Sequence, residues 1–273
     1  MNSNSFNMRR LTALLGSDLS ERKRTLLLQS VMLIGLLTIA AVYTAFTIEH
    51  HMYKKWQFDP SLRSLPIFYI LVFFMAGCLS ASFMFNDLTT KEGRIRSLMR
   101  PALDIEKFTA RWLIYIPGFI VVFSAGVFIA ESLRTGIVML RFSDVNTIPC
   151  YAALFKPAVR EYFLGQHAAR SICNFSLLFL AIQSFFVLGS TIWPKNSALK
   201  TFAVFFGLAV TYSILSTWTV YLLCLDGKCV PKSDFIQDNS GIIMMLLMIV
   251  AIATNYILAW LRLGETDVIT TRR

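Results

Sequence analysis

Thr25 to Ile48 reads TLLLQSVMLIGLLTIAAVYTAFTI, a stretch without one charged side chain. A helix rises about 1.5 Å per residue, and the hydrocarbon core of a bilayer, about 30 Å thick, takes about 20 residues to cross. The stretch is long enough to cross with some tilt. It begins beyond Arg9, Arg10, Arg22, Lys23 and Arg24, and no small-residue cleavage site follows it. It therefore reads as a retained helix rather than a signal peptide.

A buried helix of a large soluble core is also apolar on every side, so one such run decides little. Five more decide the fold. They are Leu65 to Phe85 (LPIFYILVFFMAGCLSASFMF), 112–130, 171–193, 201–225 and 240–261. Six buried helices in 273 residues would leave no polar surface to enclose them. The expected fold is all-α, a polytopic membrane protein with six transmembrane helices in one membrane domain spanning 1–273. Composition agrees: 56% of the residues are apolar and 15% charged, with a mean hydropathy of +0.60. Soluble domains hold about 45–50% and about 25%. The same figures exclude disordered, collagenous, repeat-array and cysteine-stapled classes.

The net charge of +10 does not point to nucleic acid, because the basic residues fall in the gaps between apolar runs rather than on one face. Alternate gaps hold 16 and 10 Lys+Arg, and the richer set contains both ends of the chain. Positive-inside statistics place both termini in the cytoplasm. Segment 1–24 is then cytoplasmic or interfacial, 86–111 is cytoplasmic, and 131–170 is an external loop. Within 1–24, Met8, Leu11, Leu14 and Leu15 recur at helical spacing beside Arg9 and Arg10. This predicts an interfacial helix, with Ser17 and Asp18 capping a second one that enters the membrane; the alternative is a disordered basic tail. The external loop is apolar at Phe142, Ile148, Tyr151, Leu154, Phe155, Phe163 and Leu164, which suits a short packed helix interrupted by Pro149 and Pro157.

No GxxxxGK[ST], HExxH, CxxC or GxSxG pattern occurs, so no nucleotide, metal or catalytic site is expected and no cofactor is implied. His50 and His51 are adjacent, and neighbours on a helix diverge, so they read as an interfacial pair rather than as ligands. Cys78 and Cys173 read as packing residues. Cys224 and Cys229 flank a tight Asp226-Gly227 turn and are open to either a disulfide or two free thiols. The spans carry essentially no ionisable residue at mid-depth. Their polar members, Gln29, Asn174, Gln183, Thr211, Tyr212, Ser213, Ser216 and Asn255, are expected to hydrogen-bond between helices. Gly77, Ser80, Ala81, Ser82, Ser124, Ala125 and Gly126 allow helices to approach closely.

The connection between the second and third runs carries the strongest local pattern. Thr89 followed by Glu92 has capping-box spacing, weakened by Gly93. Ile95, Leu98 and Met99 then form an apolar face at i, i+3 and i+4, rimmed by Arg94, Arg96 and Arg100 and ended by Pro101. This is the pattern of a short amphipathic helix beneath the bilayer, suited either to a soluble partner or to lipid phosphates.

At these residues the chain resembles the permease subunits of ABC-2 type exporters. The likeness lies in six hydrophobic segments with cytoplasmic ends, an N-terminal interfacial segment, and Lys91-Glu92-Gly93 followed by Arg94, Leu98, Pro101 and Glu106 in the family's order. The TKEGR, LMRP and EKF series, with Trp193-Pro194-Lys195-Asn196-Ser197-Ala198-Leu199-Lys200-Thr201, is similar to a group of Bacteroidetes ABC permeases of unknown substrate. The resemblance implies a bacterial inner-membrane permease without enzymatic activity of its own. It also implies a separate ATP-binding subunit and a homodimer or heterodimer of permease chains. Glu92, Arg94, Ile95, Arg96, Leu98, Met99, Pro101 and Glu106 would form the partner-binding coupling segment. The alternative is a non-transporting structural, assembly or sensory-accessory membrane protein. A secondary carrier is disfavoured by the lack of buried charge, and a membrane-embedded enzyme by the lack of an acidic or histidine cluster.

Overall fold

A computed structural model describes residues 6–48, 61–90, 92–93, 95, 99, 102–142, 147–154, 168–193, 195–223 and 234–271. Its long helices are α1 (Met8–Thr47), α2 (Ser61–Ser82), α3 (Asp104–Tyr115), α4 (Pro117–Arg141), α5 (Ala168–Ile192), α6 (Ser197–Leu223) and α7 (Asp234–Thr271). Short 3-10 turns cover Asn86–Thr89 and Cys150–Leu154, and no strand occurs among the described residues. Among the described residues, six helical spans are long and apolar enough to cross a membrane, the third formed by α3 and α4 in succession. The chain is an all-α polytopic integral membrane protein. His50, His51, His167, Cys224 and Cys229 lie outside the described residues.

The first helix departs from expectation. Residues 8–47 form one uninterrupted helix, with no second start at Ser17-Asp18. Asn7 caps it in an extended conformation, its side chain accepting the Arg9 N–H at 3.0 Å. The stretch from Met8 to Arg24 holds no proline, and Leu and Arg, both good helix formers, supply eight of its 17 residues. Nothing stops the helix where the lipid stops, and the Ser20 hydroxyl bonds back to the Ser17 carbonyl inside it.

The third span also differs. It starts at Asp104, breaks at Ile116 (φ −104°, ψ −71°) and continues to Arg141 rather than ending near 130. Pro117 causes the break, because its ring displaces the carbonyl four residues back and it has no N–H to donate. The Ser80 hydroxyl supports the interruption by donating to the Tyr115 carbonyl at 2.7 Å. Beyond 130, Glu131 and Arg134 are both fully buried and paired at 3.1 Å. The span expected to end before these two charges therefore contains them. Two charges one helical turn apart neutralise each other, so the helix continues through them. The 131–170 stretch is accordingly helical as far as 141. After Pro149 the short Cys150–Leu154 turn packs on α4, with the Tyr151 and Phe128 rings 5.0 Å apart.

The chain divides into two compact units, residues 1–80 with 102–173 and residues 81–101 with 174–273. In the first, Asn7 and Arg10 meet Glu106, Arg22 meets Tyr115, and Arg141 donates to the Ala45 and Phe46 carbonyls. The first and third spans thus run parallel. The second runs against them, with Tyr69 beside Glu131, Phe73 between Phe119 and Phe123, and Ser80 beside Tyr115. This alternation is what three successive crossings require. Gly126 permits the α1 approach: a Cβ there would stand 3.0 Å from Leu37 Cδ1 and 3.2 Å from Ile34 Cγ1.

In the second unit, α5 and α6 form an antiparallel pair. Asn196 turns the corner at φ 56°, a left-handed conformation that asparagine tolerates better than most residues. Phe205 stacks on Phe185 and Phe186, and Gly189 faces Thr201 so closely that a Cβ would lie 2.6 Å from Thr201 Cγ2. Asn255 of α7 donates to the Ser184 hydroxyl at 3.0 Å, an interhelical bond of the expected kind. Thr211, Ser213 and Ser216 instead return to carbonyls of their own helix. Apart from Thr201 and half-buried Phe205, residues 201–219 of α6 are exposed where their burial is described. Lipid covers such apolar side chains without penalty.

Gly189→Ala should therefore destabilise the α5–α6 pair by about 1–3 kcal/mol, the usual cost of overpacking. Thermal unfolding in detergent measures it. Gly35→Ala serves as the control, since a Cβ there meets nothing within 4 Å.

Candidate functional site

Two features of the α2–α3 connection bear on function, one in each unit. In the first unit, α3 opens at Asp104 with Leu103 as its N-cap. Leucine has no acceptor to cap the helix, so only the reciprocal half of a capping box forms, with Glu106 Oε2 accepting the Leu103 N–H at 3.2 Å. The other oxygen, Oε1, accepts the N–H of Asn7, the N-cap of α1, at 2.8 Å and lies 3.3 Å from Arg10 Nη2. One carboxylate thus sits at the amino ends of two parallel helices, where both helix dipoles favour negative charge. Glu106 is fully buried. Two backbone donors, an arginine and two dipoles together offset the cost of removing its charge from water. Further along the same seam, Arg22 Nη1 meets the Tyr115 hydroxyl at 2.5 Å and its guanidinium lies 5.5 Å from the ring centroid.

In the second unit, the Asn86–Thr89 turn leads to Thr90, whose extended backbone (φ −98°, ψ 147°) is that of an N-cap. Its hydroxyl accepts the Gly93 N–H at 3.1 Å. The capping residue is thus Thr90 rather than Thr89. The difference of one residue arises because Thr89 is used to close the preceding 3-10 turn. Glu92, Gly93, Ile95 and Met99 are helical. Ile95 is 56% and Met99 79% exposed, four residues apart and so on one face. Glu92 is exposed as well.

Of the expected coupling residues, Glu92, Ile95 and Met99 are therefore presented to the surroundings. Glu106 is not: its carboxylate is enclosed by this chain's own α1, so it anchors the third span instead of offering a contact. Arg94, Arg96, Leu98 and Pro101 lie outside the described residues. Sequence reading missed Asn7 and Arg10 as partners of Glu106. Spacing gives no clue to them, since they stand about a hundred positions away. It also missed Glu131 and Arg134, although Glu-x-x-Arg at the end of an apolar run is a readable signal of an i,i+3 pair.

No family model matches the chain, and no curated protein or solved structure matches it.

Glu106→Gln takes from Arg10 its counter-charge and sets an NH2 donor against one of the two backbone N–H groups that the carboxylate accepts. Glu106→Gln should cost about 3 kcal/mol, as for breaking a buried pair. Tryptic cleavage after Arg9 and Arg10 in membranes should accelerate accordingly. Asp104→Asn should leave the rate unchanged, because among the described residues half-exposed Asp104 pairs with Lys107, at 3.6 Å.

Proposed function

We propose that this chain is the membrane-spanning permease subunit of an ATP-driven ABC-2 type exporter in a bacterial inner membrane, with both termini cytoplasmic. A separate ATP-binding subunit docks on the α2–α3 connection, and two permease chains complete the complex. The observation that carries this reading is the exposed Ile95–Met99 face. It lies in the charged connection between two spans rather than in a span, so lipid tails do not account for it. An apolar face of this kind with charged neighbours fits the groove of a soluble partner, the helix-in-groove mode of recognition.

The anchoring of Glu106 supports the same mechanism. A partner that moves the connection acts on the start of α3, and α3 is bonded to the start of α1. One displacement would reach the first and third spans together. ATP-driven closure of the partner would then shift the population between two arrangements of the spans, which is how binding energy at one place becomes movement at another. The chain offers no nucleotide chemistry of its own, so hydrolysis belongs to the partner.

The test is a mild-detergent pull-down of tagged chain from native membranes, with mass spectrometry and an ATPase assay of the eluate. A stoichiometric nucleotide-binding subunit is expected. Ile95→Asp with Met99→Asp should remove it without loss of membrane insertion, and charge reversal at Arg94 and Arg96 should do the same. Recovery of the chain alone, under conditions where known exporter complexes survive, would replace this reading with that of a non-transporting structural or accessory protein.

A further inference from the structure

Glu131 and Arg134 are the charges that the apolar runs conceal, and both are fully enclosed. Glu131 stands 15 residues beyond the break at Ile116 and ten before the end of α4 at Arg141, inside a span long and apolar enough to cross a membrane. An ionisable pair in such a span is costly and calls for an explanation beyond packing.

Neutralisation alone does not explain the geometry. For that, the contacts of Arg134 Nη2 at 3.1 Å and Nε at 3.3 Å with Glu131 Oε2 would suffice. The pair spends its remaining capacity elsewhere. Glu131 Oε2 also accepts the Cys150 N–H at 2.9 Å, while Arg134 Nη2 donates to the Ile148 carbonyl at 3.1 Å. Glu131 Oε1 accepts the Tyr69 hydroxyl of α2 at 2.8 Å. The acidic member thus holds an N–H and the basic member a C=O of one three-residue stretch, on either side of Pro149. The two charges match the two backbone groups in polarity, and they tie this stretch and α2 to the same turn of α4.

We infer that the Glu131–Arg134 pair is a latch: it closes the end of the first unit remote from Glu106 by gripping the backbone of residues 148–150, and its release frees that turn from α4 and α2. The inference stands on this geometry and does not need the permease reading. Should that reading hold, the latched form is the state closed on the side away from the ATP-binding subunit.

Polarity matching makes the latch directional, and that gives the test. Exchanging the charges, Glu131→Arg with Arg134→Glu, restores an ion pair but places a donor against the Cys150 N–H and an acceptor against the Ile148 carbonyl. Replacing both by methionine removes the charges without orphaning either, a change that buried pairs often tolerate. Cys150, half-buried within the gripped stretch, is the reporter. The full-length chain would carry Cys78→Ala, Cys173→Ala, Cys224→Ala and Cys229→Ala, leaving Cys150 as its sole thiol. It would be labelled in open membrane fragments, so that a water-soluble maleimide reaches both faces.

Labelling of Cys150 should be slow in the parent. It should be at least about tenfold faster in both the exchanged and the double-methionine chains, the factor that about 1.4 kcal/mol of lost hydrogen bonding gives. An exchanged chain that labels at the parent rate would mean that charge balance is all the pair supplies, which overturns the latch. Parent rates in both variants would overturn it too, because the turn would then be held by other contacts. If either chain fails to insert, Arg134→Lys decides. It keeps the charge, but its ammonium ends one bond short of the Nη2 that meets both the carboxylate and the Ile148 carbonyl, so faster labelling supports the latch and an unchanged rate refutes it.

Discussion

Backbone that enters hydrocarbon must bring its hydrogen-bond partners with it, because an unpaired N–H or C=O there costs several kcal/mol. The long helices meet this demand along their lengths. It becomes acute where helices break or end, and those are the places where this chain positions its polar side chains. At the Pro117 break, Ser80 supplies a donor to the Tyr115 carbonyl. At the end of α1, Arg141 supplies donors to the Ala45 and Phe46 carbonyls, at 3.2 and 3.0 Å. At the start of α1, Glu106 accepts the cap N–H.

The third span is consequently held at two places by a glutamate with the same division of labour, Glu106 at its start and Glu131 ten residues before its end at Arg141. Glu106 and Glu131 each accept a backbone N–H from a distant segment and each pair with an arginine. The difference lies in the third partner. Glu106 turns back to the cap of its own helix, while Glu131 reaches Tyr69 on the neighbouring span. The Pro117 break lies between these two anchors.

The six spans were legible because hydrophobicity is a property of residues one at a time, and lipid tests each run independently. Their limits were less so. The N-terminal segment was expected to be a helix separate from the first span, and the third span was expected to stop near 130. In both places a helix runs on through charged residues. A helix ends where caps and breakers end it, and neither Ser17-Asp18 nor Glu131 is one. The connection between α2 and α3 was legible in its apolar spacing at Ile95 and Met99. It gives no sign of the partners of Glu106, Asn7 and Arg10, which lie about a hundred positions away.

The sequence alone determined that the chain crosses a membrane six times with helices and offers an apolar face between the second and third crossings. Those conclusions follow from local composition and periodicity, which no distant residue can alter. Only the tertiary structure decided which glutamates are anchors, which arginine serves which carbonyl, and which glycines admit a neighbouring helix at Gly126 and Gly189. Such choices depend on contacts between residues far apart in the chain. A carboxylate's surroundings, not its neighbours in sequence, decide whether it faces a partner or fastens the fold.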